Sequence, residues 1–179
     1  MKHEIAAVLE ADHDLLRRMG LDLRACAPAD APARFKQFAA ALGGHLNAIE
    51  KAVYPGLRSM GWKDVSSDVL VRHARLSHSF AELLTLRHDA GSFATELAGL
   101  LDATERLLDH ERRDLLPLLA RHLDAAQRLV MGLEAQRYLE HRDSARTEEA
   151  RFPVSEWIEE ARLLLGGLQS SSAGGSRTV

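Results

Sequence analysis

Two segments, residues 45–55 and 107–117, each end in a proline and look like two copies of one metal-binding motif. The first copy keeps His45 at its first position, and the second keeps Glu111 at its fifth. A histidine and a carboxylate separated by four residues lie on one helix face, about one turn apart. Two such pairs pointing into a helical bundle can chelate two iron or manganese ions. The residue types therefore indicate a helical bundle that carries metal.

Each copy has lost a different half of the pair. Ile49 stands where the first copy would have its carboxylate, and Leu107 stands where the second would have its histidine. Neither side chain can coordinate a metal. Two closely spaced metal ions need anionic ligands to offset their charge, because burial of uncompensated charge is costly. We therefore expect fewer than two tightly held metals per chain.

Two more histidines lie on apolar stripes of predicted helices. His13 falls on the stripe of the first helix, and His73 lies among apolar residues of the third. One histidine in a helical protein is most often exposed or satisfied by hydrogen bonds. The hypothesis therefore depends on placement: with His45 and Glu111, each of four helices aims one potential ligand at the same interior. Two imidazoles and a carboxylate are a recognised ligand set for a single Fe(II) with open positions.

The order of these residues resembles the hemerythrin-like (HHE cation-binding) family over about residues 1–122. The resemblance implies a four-helix bundle that binds two irons through five histidines and two bridging carboxylates. Compared position by position, His13, His45, His73 and Glu111 match ligands of the family. Ile49 and Leu107 occupy ligand positions but do not match. It also implies a role in handling or sensing dioxygen, nitric oxide, peroxide or iron itself.

Five further residues are weaker candidates. Glu50 follows His45 by five residues, a spacing that members of this superfamily use for a bridging carboxylate when the helix is locally distorted. His110 and Asp114 form their own pair at four residues, which a small rotation of the fourth helix would turn inward. His78 lies five residues after His73 and off its helix face. Tyr54 is a candidate hydrogen-bond donor to a bound oxygen species, although core packing is its commoner role.

The apolar periodicity and the prolines predict an all-α protein. We expect an up-down-up-down four-helix bundle in residues 1–122, with Pro55 kinking the second helix and Pro117 bending or breaking the fourth. Residues 123–168 should add one or two C-terminal helices, packed on the bundle or on a second subunit in a possible homodimer. The first of these opens at Asp124, which fits a helix-capping pattern. Residues 169–179, rich in Ser and Gly, should form a disordered tail.

Composition excludes several other classes. The net charge is −3 and provides no basic surface, so nucleic acid is not an expected partner. The single cysteine, Cys26, excludes an internal disulfide framework and suits a reducing compartment. No segment has the character of a signal peptide or the length to span a membrane. We therefore expect a cytoplasmic protein.

Two alternatives to an iron protein remain open at this stage. One is a metal-free bundle that acts as an interaction or regulatory module, with Ile49 and Leu107 filling the vacated cavity. The other is a histidine-ligated haem site in the same interior. The chain has no Gly-rich phosphate loop, paired-cysteine zinc motif or serine-nucleophile elbow. A binding protein is therefore a better hypothesis than an enzyme, but the sequence does not decide whether turnover occurs.

Overall fold

The computed structural model describes residues 3–85 and 91–144, which form five helices and no strand. Two of the five helices contain a π-helical turn, and each of these two is treated as one helix of three segments. The helices are α1 (Ile5–Ala25), α2 (Ala31–Ala48, π turn Ile49–Val53, Tyr54–Ser59), α3 (Lys63–Thr85), α4 (Gly91–His110, π turn Glu111–Leu115, Leu116–His122) and α5 (Ala125–Ser144). The all-α bundle predicted from the sequence is confirmed.

Local chemistry explains where the helices begin and end. Pro32 lies in the first turn of α2, where a missing N–H costs nothing. Gly61 ends α2 with a φ of 81°, a conformation that glycine adopts without steric penalty. Asp124 and Gln127 exchange backbone-to-side-chain hydrogen bonds of 2.9 and 2.8 Å at the start of α5, so the capping prediction is confirmed. Helix α3 begins at Lys63, two residues after Gly61.

The two helix-interior prolines share one local geometry. Neither breaks its helix: Pro55 and Pro117 each lie in the first turn of the segment that follows a π turn. Proline cannot donate to the helical ladder, and its ring clashes with the carbonyl four residues earlier. The wider π turn accommodates one extra residue, so the helix continues past the proline. This changes which side chains face the interior after residues 48 and 110.

The bundle core consists of two apolar clusters. The first surrounds the π turns and includes Ile49, Val53 and Leu115, with Met131 and Ala135 of α5 packed into it. The second lies toward the other end of the bundle and contains four phenylalanines and the leucines of the inner helix faces, among them Phe35, Phe38, Phe80, Phe93, Leu46, Leu107 and Leu108. Each fully buried side chain of this size contributes roughly 1.5–3 kcal/mol. Apolar burial is therefore the main favourable contribution to the stability of the bundle.

Helix α1 packs against α2 and α4, α3 packs against α4, and α5 lies across α1 and α2. The approach of α5 is close, because a Cβ at Gly132 would lie 2.0 Å from the backbone oxygen of His3. The described part of α5 thus packs on its own bundle. The expected second C-terminal helix, the tail and the turn after α3 lie outside the described residues. None of the described helices has the length and apolar character needed to cross a membrane.

Candidate metal centre

Four polar residues, one on each of four helices, lie between the two apolar clusters: His13, His45, His73 and Glu111. On α1, His13 lies between Leu9 of the first cluster and Leu16 of the second. The same alternation holds on the other helices, where His45, His73 and Glu111 each lie between members of the two clusters. All four side chains are buried, with exposed fractions of 0–1%. The four side chains therefore lie at one level of the bundle, between the two apolar clusters.

Three imidazoles converge on the carboxylate of Glu111. The Nε2 atoms of His13 and His45 lie 2.8 and 3.1 Å from its Oε2 atom. The Nε2 atom of His73 lies 3.1 Å from the other oxygen, Oε1. Glu111 thus has two imidazoles beside its Oε2 atom and one beside its Oε1 atom, so both carboxylate oxygens face histidines.

Charge compensation makes this burial possible. Burial alone would raise the pKa of Glu111, but the charge of His45 and hydrogen bonds from His13 and His73 hold it well below the ordinary value. Burial likewise opposes the charged form of His45. Attraction to Glu111 and a hydrogen bond to Asp12 outweigh that effect and raise the pKa of His45 to about 10. His45 and Glu111 thus favour each other's charged form within the buried centre.

Asp12 orients His45 and is not among the site residues predicted from the sequence. Its Oδ2 atom accepts a 2.9 Å hydrogen bond from Nδ1 of His45, which leaves Nε2 of that ring pointing at Glu111. Metal-binding histidines commonly donate their second nitrogen to a carboxylate in this way, which fixes the tautomer and the ring orientation. The sequence does contain a signal for this role, because Asp12 falls on the apolar stripe of α1 between Leu9 and Leu16. In the structure its side chain is accordingly buried, with 4% exposed.

The π turn in α2 moves Glu50 toward the centre. Its Oε1 atom lies 3.8 Å from Nδ1 of His73, and its side chain is 17% exposed. Ile49, by contrast, is fully buried in the first apolar cluster. Glu50, within the π turn, therefore lies on the side of His73, whereas Ile49 packs among apolar residues. The predicted five-residue spacing after His45 depends on such a distortion, and the structure contains one.

Four buried polar atoms around the centre have no hydrogen-bond partner in the described part of the chain. They are Nδ1 of His13, Nε2 of His45, Nδ1 of His73 and the hydroxyl of Tyr54. Buried polar groups are nearly always paired, so a cluster of exceptions needs an explanation. A bound metal and its ligands would satisfy some of them. His13, His45 and Glu111 each offer one ligand atom, all within 4.8 Å of one another, so the donor set fits a metal ion.

Tyr54 lies beside the centre as expected, with its ring centroid 5.8 Å from that of His73. Burial, together with the charges of Glu50, Glu111 and Asp68, raises the pKa of its hydroxyl. The group therefore stays protonated and can act as a hydrogen-bond donor. Its position is compatible with the predicted contact to a bound small molecule.

The other weak candidates lie outside the centre. His78 is 46% exposed and faces Glu82 at 3.5 Å. His110 pairs with Asp114 at 2.7 Å and with Asp68 at 3.3 Å, on the solvent side of the bundle. The π turn of α4 starts at Glu111, the residue after His110, and Glu111 faces the interior. The helix rotation that would bring His110 and Asp114 inside is therefore not present.

Leu107 and Ile49 do not fill a common cavity. Leu107 belongs to the second apolar cluster and Ile49 to the first, so they pack on different sides of the polar residues. The arrangement proposed for a metal-free bundle, with both side chains in one vacated space, is therefore wrong.

The comparisons with known proteins gave one match. The family model of the Hemerythrin HHE cation binding domain matches residues 4–119. That range contains all of the residues that surround Glu111 and ends within α4. Searches of curated proteins and of solved structures found no significant match.

Proposed function

The chain belongs to the hemerythrin HHE cation-binding family, and from this premise we propose that it binds a single iron ion through His13, His45 and Glu111. The observation that carries the proposal is the convergence of three imidazole Nε2 atoms on one fully buried carboxylate. Two imidazoles and one carboxylate leave coordination positions open. Iron bound there would supply an open position for a small ligand such as dioxygen, nitric oxide or peroxide.

The residues around this set have separate tasks. Asp12 holds the ring of His45 in the tautomer that presents Nε2. His73 and Glu50 lie on the side of Oε1, where they can hydrogen-bond to a bound ligand or complete the coordination. Tyr54 keeps a proton on its hydroxyl and can donate it to an oxygen atom in the site. The apolar clusters on both sides exclude water from the centre.

A metal-free regulatory module is the second candidate, and one observation favours it. His45 and Glu111 lie 3.1 Å apart and their charges compensate each other, so the buried carboxylate has a counter-charge from within the protein. Haem is a poorer candidate than either. The three histidines lie 2.8–3.1 Å from one carboxylate, and a macrocycle between them would have to force them apart.

Metal analysis of the purified protein with a near-ultraviolet and visible spectrum tests the proposal. We expect about one iron per chain at most and no haem absorption. Glu111→Gln keeps the shape of the side chain but removes its charge, and it should reduce the iron content sharply. Glu105→Gln is the matched control, because Glu105 lies on the same helix and pairs with Arg17 at the surface. Full iron content in the Glu111 variant would favour the metal-free module instead.

A further inference from the structure

A groove of about 280 Å³ lies between α3 and α4. Its floor is apolar and is formed by Leu76, Ala103 and Leu107. Its rim is basic and is formed by Arg72, Arg75 and Arg106. Leu107 is the residue that replaces the expected histidine of the second motif. The leucine thus contributes to the apolar floor of a surface groove.

The positive charge on the rim is only partly compensated. Arg72 pairs with Asp68 at 2.9 Å. Neither Arg75 nor Arg106 forms an ion pair with any carboxylate in the described ranges 3–85 and 91–144. Since the whole chain has a net charge of −3, this local excess does not reflect a generally basic surface.

The acidic residues of α4 explain why the excess persists. Glu105 and Asp109 lie one residue before and three after Arg106, but both pair with Arg17 of α1, at 3.1 and 2.7 Å. Asp102 pairs with Arg24, also of α1, at 2.6 Å. These three carboxylates of α4 are therefore engaged by arginines of α1. Arg106, at the groove, has no carboxylate partner in the described part of the chain.

From this arrangement we propose that the groove binds a small amphiphilic organic anion. Arg75 and Arg106 would hold a carboxylate or phosphate head group, because guanidinium groups bind both through paired hydrogen bonds. A short alkyl body would lie on the apolar floor. The volume is at the lower end of the range for ligand sites, so the ligand is small. Ser79, on the rim, provides a hydroxyl for the head group.

Calorimetric titration of the full chain with four probes tests this proposal. Octanoate and octyl phosphate combine an anionic head with an alkyl body, whereas octanol lacks the charge and inorganic phosphate lacks the body. We expect at least one of the two amphiphilic anions to bind about tenfold more tightly than octanol or phosphate. The preferred anion identifies the head group. If octanol binds as tightly, the arginines have no role, and if phosphate binds as tightly, the floor has none; either result overturns the proposal.

Two variants locate the binding in the groove. Arg75→Ala with Arg106→Ala should weaken binding about tenfold, since each partly exposed ion pair is worth about a factor of three. Arg34→Ala with Arg58→Ala is the control, because it changes the net charge equally at exposed positions elsewhere. Ser79→Trp should block the groove from an exposed position without removing any charge. Equal affinities for the groove and control variants would overturn the proposal, as would full affinity in Ser79→Trp with an unchanged circular dichroism spectrum.

Discussion

Asp12 and His45 are joined by a buried 2.9 Å hydrogen bond between Oδ2 of the aspartate and Nδ1 of the imidazole. The residue next to Asp12, His13, contacts Glu111 from the same turn of α1. One turn of helix thus supplies both a candidate ligand and the group that orients a second one. The proposed metal site depends on this arrangement as much as on the ligands themselves.

We expect Asp12→Asn to lower metal affinity by about 10- to 100-fold, the usual cost of losing a carboxylate that orients a ligand. The amide keeps the size of the side chain, so helicity should change little. Asp22→Asn is the control, because Asp22 is exposed on the same helix. Competition with a metal-binding dye measures the affinity. An unchanged affinity would mean that His45 needs no orientation by Asp12 or is not a ligand.

The stability of the metal-free protein should depend on pH through His45. Its folded pKa of about 10 exceeds its ordinary value of 6.5, so its contribution is complete below pH 6.5 and is lost as the pH rises toward 10. For Glu111 the pKa is lowered, so its contribution is present above 4.5 and is lost as the pH falls further. We therefore expect the largest contribution of this pair between about pH 4.5 and 6.5.

Urea unfolding of the metal-free protein at a series of pH values measures this dependence. In His45→Gln the decline above pH 6.5 should be much smaller, because the titrating group is gone. His78→Gln is the control, since His78 is largely exposed. A decline that is equally steep in His45→Gln would assign it to another group.

Metal stoichiometry tests whether Glu50 acts as a ligand. Position 49 is apolar and packs in the first cluster, so we expect fewer than two tightly bound metals per chain. Two irons with the spectrum of a bridged pair would contradict this expectation. In that case Glu50→Gln should return the protein to one iron, because Glu50 is the carboxylate nearest to His73 after Glu111. Asp114→Asn, on the solvent side, is the control and should leave the stoichiometry unchanged.

Two helical glycines test the docking of α5. A Cβ at Gly132 would lie 2.0 and 2.7 Å from backbone atoms of His3 and Ile5, so Gly132→Ala must push α5 away from α1. We expect a loss of about 1–3 kcal/mol in the free energy of unfolding, as for other overpacking changes. Gly99→Ala meets open space and should instead stabilise the protein by about 0.5–1 kcal/mol through helix propensity. Chemical denaturation measures both, and equal effects would show that α5 is not held closely.

The sequence determined the helices and the four central residues. Apolar residues at helical spacing fix which face of each helix is buried, and His13, His45, His73 and Glu111 lie on those faces. Their convergence could be predicted because four amphipathic helices have one common interior. The C-terminal segments expected beyond residue 144 are not tested, since they lie outside the described part of the chain.

Only the tertiary structure decided what surrounds these four residues. Helical periodicity predicts that position 49 shares the face of His45, and the backbone hydrogen bond from Ile49 N–H to the His45 carbonyl preserves that spacing. Periodicity does not predict the π turn that starts there, within which Glu50 lies 3.8 Å from His73. The role of Asp12 likewise depends on the packing of α1 against α2, which brings its carboxylate to the ring of His45. Spacing along one helix assumes a regular backbone and says nothing about the distance to another helix. Distortions and helix–helix contacts are settled by packing of the whole bundle, where burial and charge compensation act on all four helices together.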